Sequence, residues 1–594
     1  MRRAGTLRLF SLALAVALPL GAASDGGWIE RSNANTKVLL DIQAKYGPEG
    51  AARIGIDGYD EAVSQFPLDL NETIVADTNA ALATLRSRLA AETDPNVRQD
   101  LEILIQAGED NNKGIAIGEK YDLPYFDMHG AVFGGLRALL DDRIPAERRQ
   151  AAVVRLRKYT GIEPGYTPLT EQAMAYTRKA LGNPALIGPF VDNLAKDFGN
   201  APRYLEGIAK LFEKYQLEGW QQPYETLEKQ LADYQAFLRA EVEPRATKDF
   251  RRPAEAYQFA LEQRGIDWSV AELTGRAKAS FREIQNEMQV LAALIAKERG
   301  LSSTDYRDVI RELKKEQLVG DAILPFYEKR IEELEAIIAA NGIVTLPDRK
   351  MRIRLASEAE SAQIPAPNMS PPRLIGNTGE LGEFVLPLRV PAEAGAKEIG
   401  FDDFTFDAAG WTLTAHEGRP GHELQFAAII EKGVSQARVL YAFNSVNVEG
   451  WALYAEAETK PYEPLEGQLV ALQHRLLRAA RAVLDPGLQL GEISRDEAFR
   501  VLEHDVVLSH AMALQEVERY TFWAPGQAPS YFCGYQHLLE LRTDVERMLG
   551  ETFDRQAYHD FLLAQGLLPP DLLRKAVMQQ FVAPIQAQSP AATE

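Results

Sequence analysis

Apolar residues recur every three or four positions through "ETIVADTNAALATLRSRLAAE" (72–92), "YETLEKQLADYQAFLRAEVE" (224–243), "VAELTGRAKASFREIQNEMQVLAALIAKERG" (270–300) and "AILPFYEKRIEELEAIIAANG" (322–342). That spacing lines one face of an α-helix, and the last two stretches end in Gly, a common helix stop. No fixed-period repeat of the kind that marks a solenoid is present. The pattern breaks at about 345–400, which is rich in Pro and Gly. Within the break, "GEFVLPLRV" (382–390) has β-forming residues and reads as a strand, with Pro387 placing it at a sheet edge. Helical spacing returns after Asp407 and runs to about 585; the small, polar tail 586–594 reads as disordered. These patterns predict a mainly α protein of two helical lobes, 24–344 and 345–585. A small β element precedes the second lobe's first helix, and the lobes flank a deep cleft.

The N-terminus differs from the rest. Three arginines precede an apolar run from Leu9 to about Leu20 and then small residues. This is the layout of a secretory signal peptide over 1–23, which implies an exported protein, periplasmic or extracellular. The apolar run is short for a membrane span, and no cysteine follows it to carry a lipid. No later segment has a long charge-free apolar run, so stable membrane insertion of the mature chain is not expected. The net charge of -20, from 85 acidic and 65 basic residues, argues against a nucleic-acid partner. One cysteine, Cys533, cannot form an internal disulfide, so any metal would be held by His and carboxylate ligands.

Of eight histidines, seven lie at or after His416. Two fall in "TAHEGRPGHEL" (414–424), which is like a His-Glu-x-x-His metalloprotease motif but has the wrong spacing. His416 and His422 are six apart; on a regular helix their rings would be about 120° out of line and about 9 Å apart along the axis. Isolated, such a pair reads as two unrelated residues flanking a helix break. Pro420 and Gly421 answer the objection, because they can bulge the helix, absorb two residues and return the second ring to the first's face. Downstream, "NSVNVEGWALYAEAE" (444–458) places Glu449 and Glu456 seven apart, nearly two turns, on one face. Hydrolytic zinc sites need three protein ligands, an open position and a nearby carboxylate base. His416, His422 and Glu449 can supply the ligands and Glu417 the base; spacing alone does not choose Glu449 over Glu456.

These motifs, with "LLRAARAVLDPG", "EVERY" and "PGQAPSYFCGYQHLLELR", resemble the bacterial family called domain of unknown function 885, most sharply over about 380–545. The resemblance covers most of the mature chain as one continuous domain. The family's fold in turn resembles the gluzincin metallopeptidases, two-lobed helical enzymes such as thimet oligopeptidase and thermostable bacterial carboxypeptidases. What this implies is one Zn2+ per chain on His416, His422 and Glu449, with Glu456 as the acid behind a ligand. It also implies an oxyanion donor in "SYFCGYQH" (530–537): Tyr531 by the family's "PGQAxSY" pattern, with Tyr535 and His537 as further candidates. Arg478, Arg481 and Arg542 are candidates to clamp a substrate carboxylate, against a plainer role in salt bridges. Cys533 reads as a packed residue. Many members carry Asp-x-Gly-x-His where this chain has Asp485, Gly487 and Gln489. The expected function is zinc-dependent hydrolysis of a peptide or peptide-like amide, with the 382–390 edge strand pairing with an extended substrate. The alternatives are a non-catalytic periplasmic binding protein on a peptidase scaffold, and a zinc hydrolase acting on esters or non-peptide amides.

Overall fold

The computed structural model describes residues 27–364, 366–390 and 399–588. It is mainly helical. The helices expected from periodicity are present as Leu70–Ala91, Gln221–Phe237, Val270–Arg299 and Ile323–Ala340. The leader at 1–23 lies outside the described residues. At the other end, the helix Ala583–Gln588 carries described structure three residues past 585, and 589–594 lie outside. No helix among the described residues is long and apolar enough to cross a membrane.

Val270–Arg299 shows how sequence makes these helices. Ser269 caps it by accepting from the Glu272 N–H, and Gly300 ends it at φ 67°, where a side chain would be strained. Its buried stripe of Leu273, Ala277, Ile284, Met288, Ala292 and Ile295 lies against the long helix Leu465–Gln489. Packing therefore crosses the compositional break: residues 257–313 share one apolar cluster with residues 406–533. A second cluster gathers Val63 to Val242 and takes Ala359 and Ala362 from within the break.

The break itself forms a small sheet. β1 (Arg352–Leu355) pairs in parallel with β3 (Glu383–Leu386), and β2 (Asn368–Ser370) pairs antiparallel with β3 on its other side. β3 is thus the middle strand and is buried along its length, which corrects the expected edge position. Pro387 follows the last paired residue, so its missing N–H ends the strand without exposing an edge. Substrate pairing along β3 is ruled out, because both of its edges are filled. The chain then enters two helices that carry the histidines, Asp407–Glu417 and His422–Lys432; from Ala408 to Glu417 the first is buried on every side.

Candidate metal centre

The His416 helix does not bulge at Pro420; it stops at Glu417, and a new helix starts at His422. Gly418 N–H still reaches the Thr414 carbonyl (2.9 Å), and Gln425 N–H begins the new ladder on the Gly421 carbonyl (3.0 Å). The turn is tight enough to need glycine: a Cβ on Gly421 would sit 2.0 Å from the His416 carbonyl oxygen, and one on Gly418 would sit 2.6 Å from that of Thr414. Arg419, joined to Pro420 by a cis peptide, is buried and pairs with Glu423 (2.7 Å) and Glu335 (2.6 Å). A break, rather than a bulge, is what brings the imidazoles together, with ring centroids 4.7 Å apart and planes at 79°.

The third group arrives on the helix Ser445–Thr459, which Asn444 caps by accepting from the Asn447 N–H (2.8 Å). Two contacts fix it. The Trp451 indole N–H donates to the carbonyls of Pro420 (3.0 Å) and Gly421 (3.3 Å), tying this helix to the histidine turn. Gly450 meets Gly534 of the helix Ser530–Leu549 backbone to backbone; a Cβ on Gly534 would lie 1.9 Å from the Val446 carbonyl oxygen. That close approach sets Tyr531 beside the histidines, with its ring 6.0 Å from that of His416 and nearly parallel to it.

Glu449 Oε2 lies 3.6 Å from His416 Nε2 and 3.3 Å from His422 Nε2. It is buried and has no hydrogen-bond donor; the other oxygen accepts from Gln527 Nε2 at 3.3 Å. Burial alone would raise this carboxyl, but the two imidazoles outweigh burial and hold it well below the usual range. A buried, ionised oxygen without a donor is costly unless a cation meets it. Donor atoms bound about 2.0–2.1 Å from a tetrahedral ion are about 3.3 Å apart, so the observed separations suit one zinc-sized ion on an N2O set.

Behind the ligands stands Glu456. His416 Nδ1–H donates to its Oε1 (2.7 Å), Thr412 donates to its Oε2, and Arg478 reaches it at 3.4 Å. Burial works against its charge, yet Arg478 and His416 draw it down to about 2. With Nδ1 donating, His416 Nε2 carries the lone pair toward Glu449. Glu417 completes the group: ligand atoms of His416, Glu417 and His422 all lie within 4.8 Å of one another. Burial pushes the Glu417 carboxyl up to about 7, with Glu449 adding to the rise and His422 opposing it. Either carboxylate is near enough to join the histidines. Glu449 Oε2 faces both Nε2 atoms, at 3.6 and 3.3 Å, which makes it the candidate third ligand and leaves Glu417 as the candidate proton carrier.

The remaining candidates divide. Tyr531 stands at the centre, with the guanidinium of Arg481 4.5 Å from its ring and those of Arg478 and Arg519 each 5.6 Å away. Arg478 is within the site but shared with Glu456; Arg481 is locked to Glu516 by two bonds of 2.7 and 2.6 Å. Tyr535 is in the core, under Arg475. His537 faces away from the histidine pair and hydrogen-bonds to Asp267 (2.9 Å), and Arg542 is bound by Glu458, Glu546 and the Tyr454 hydroxyl. Neither belongs to this centre, because His537 lies nearly two turns and Arg542 about three turns along the Ser530–Leu549 helix from Tyr531, and each faces other partners. Cys533 is fully buried, as expected. Gln489 is also remote from the ligands: its amide donates to the Tyr520 carbonyl (2.7 Å) and its oxygen accepts from Arg252 N–H (2.9 Å), so it clamps backbone.

Sequence reasoning missed Arg519, Gln527, Thr412 and His474. The first two lie in the motifs "EVERY" and "PGQAPSY" that were already in view. Thr412 is one turn before His416. His474, Arg478, Arg481 and Asp485 follow helical spacing along one face of Leu465–Gln489, and the last three are among its buried residues. Burial holds His474 neutral, down to about 3.

Residues 48–577 match the model of a family described as "Bacterial protein of unknown function (DUF885)". The chain belongs to this family. No curated protein matches the sequence. Among solved structures, a "putative lipoprotein" from Colwellia psychrerythraea is similar at TM-score 0.70 and 18% identity, over 92% of this chain and 98% of that one. A "putative lipoprotein of unknown function" from Shewanella oneidensis is similar at TM-score 0.69 and 18% identity, over 93% of this chain and 100% of that one. At such identity the likeness is one of fold.

Proposed function

We propose that this DUF885 protein is an exported zinc-dependent hydrolase that cleaves amide bonds of peptides or peptide-like compounds. The observation that carries the reading is the convergence of two imidazole nitrogens on one buried carboxylate oxygen that has no hydrogen-bond partner, with the Glu417 carboxyl alongside. His416, His422 and Glu449 would hold the ion, one per chain. Zinc in this set supplies Lewis acidity to an oxygen that shares the site. Glu417 takes a proton from the attacking water and returns it to the leaving amine nitrogen. The Tyr531 hydroxyl donates to the carbonyl oxygen as charge develops there, and Glu456 and Gln527 keep His416 and Glu449 aimed. The same reading brings the gluzincin likeness with it, as a two-lobed helical frame with a cleft over the metal. Export rests on the leader-like N-terminus and accords with the names of the two structural relatives.

The protein as purified is expected to hold close to one equivalent of zinc, and chelation should abolish cleavage of a peptide pool. Glu417→Gln should keep the zinc and lose turnover by about 10²–10⁴, whereas His422→Ala should lose both. Full turnover in the Gln variant would remove Glu417 from its role. Cleavage of an ester pool alone would shift the substrate class, and binding without cleavage of either pool would favour a binding protein.

A further inference from the structure

The two histidines are held unequally from behind. His416 Nδ1–H donates to Glu456 (2.7 Å). His422 Nδ1 is buried and bonds to nothing among the described residues. With His422 Nε2 turned to Glu449 at 3.3 Å, the proton of a neutral ring sits on Nδ1. A buried N–H without an acceptor is costly, and a ring with nothing behind it is free to turn away from an ion. One turn along the same helix, Gln425 has the complementary fault. It is 3% exposed, and no donor reaches its buried Oε1. Residues three apart on a helix are neighbours on its surface. Here both face the helix Ser445–Thr459, His422 through Glu449 and Gln425 through Asn447. A chain of bonds decides which end of the Gln425 amide is free. The Leu568 carbonyl can only accept, so it takes Asn447 Nδ2 (2.8 Å). That turns Asn447 Oδ1 to Gln425, where it accepts from Nε2 (3.0 Å). Gln425 is left with its oxygen free, and an acceptor is what the His422 N–H lacks.

We infer that Gln425 is the positioning residue behind His422: its Oε1 accepts from Nδ1–H, directly or through one water, and keeps the Nε2 lone pair aimed at the ion. This rests on the metal-binding part of the reading above. Gln425 serves His422 as Glu456 serves His416, with one difference. A neutral amide oxygen raises the basicity of the ring less than a carboxylate does, so the centre has one strongly backed and one weakly backed imidazole. The two ends of the amide also do separate work. Nε2 ties the His422 helix to Asn447, and Oε1 sets the ring.

That division makes the test. Gln425→Met keeps the length of the side chain and loses both ends; Gln425→Glu keeps an oxygen for His422 and loses the N–H for Asn447. Zinc affinity of the full chain is read by competition with a chromophoric chelator, beside thermal unfolding of the zinc-free protein. Gln425→Met is expected to bind zinc about 10–100-fold more weakly. Gln425→Glu should bind it at least as tightly as the native chain, although its zinc-free form melts earlier. Proton NMR of the zinc-loaded native chain serves if Gln425→Met fails to fold: the His422 Nδ1 proton should be protected from exchange, and should move downfield in Gln425→Glu. Native affinity in Gln425→Met would overturn the inference. So would a Gln425→Glu that loses as much as Gln425→Met, because the bond to Asn447 would then be the one that matters, and so would a His422 proton that exchanges freely. All three outcomes leave the metal centre standing; a native chain that takes up no zinc brings down that reading and this inference with it.

Discussion

Among the described residues, two places bring three side chains of metal-ligating type within 4.8 Å of one another: His416, Glu417 and His422, and Asp267, Cys533 and His537. Distance alone does not tell them apart; their surroundings do. In the second group Asp267 is exposed and His537 already uses it as a hydrogen-bond partner at 2.9 Å. The Cys533 thiol is pushed far above its usual range by burial and by Asp267, so it offers no thiolate. In the first group every residue is buried, a neighbouring carboxylate oxygen lacks a donor, and Glu456 fixes one imidazole from behind. A metal site is thus distinguished less by the ligands than by an unsettled charge in front of them and a settled hydrogen bond behind.

Four substitutions bear on that contrast, the largest expected effect first. His416→Ala should weaken zinc binding by about a thousandfold or more, while His537→Ala should leave zinc content unchanged; metal analysis after dialysis against a graded chelator reads both. If His537→Ala also emptied the protein of zinc, the second group would be the site. Gly534→Ala, which forces a Cβ against the Val446 carbonyl, should cost about 3 kcal/mol or more of stability and loosen metal binding at a distance from any ligand. Paired denaturation curves with and without chelator separate the two effects. Glu456→Gln should lower zinc affinity by about 10–100-fold without unfolding the chain; an unchanged affinity would make the hydrogen bond behind His416 irrelevant.

The smallest effect concerns Glu463, a buried carboxyl that no ligand touches. Burial raises it to about 8, with the hydrogen bond from Thr459 opposing. A carboxyl raised on folding must take up a proton, so it costs stability above its unfolded value near pH 4.5, increasingly up to about pH 8. Glu463→Gln should therefore stabilise the protein by about 1–3 kcal/mol at pH 8 and by nothing near pH 4.5. A gain independent of pH would show that Glu463 is ionised in the folded state.

Much of the fold was legible because helical periodicity is local: all four expected helices are present within a few residues. The strand at 383–386 was legible by composition, but its place in the sheet was not, since that depends on β1 and β2, about 15–30 residues upstream. The convergence of His416, His422 and Glu449 could be expected from the composition of one turn and the seven-residue spacing of two glutamates. What carries the turn was less visible: Gly418 and Gly421 stop the helix where a bulge was expected, and Trp451 locks the result from another element. The crowding of histidines after 416 also overstated the site. His559 bonds to Tyr454 and the Ile343 carbonyl, and His504 and His510 sit at the surface beside Asp505 and Glu503.

The backbone-to-backbone meeting of Gly450 and Gly534 has a mechanical consequence. With no side chain between them to act as a cushion, the helix bearing Glu449 and the helix bearing Tyr531 move as one beam, and the proposed ion and its phenol keep their spacing whatever binds.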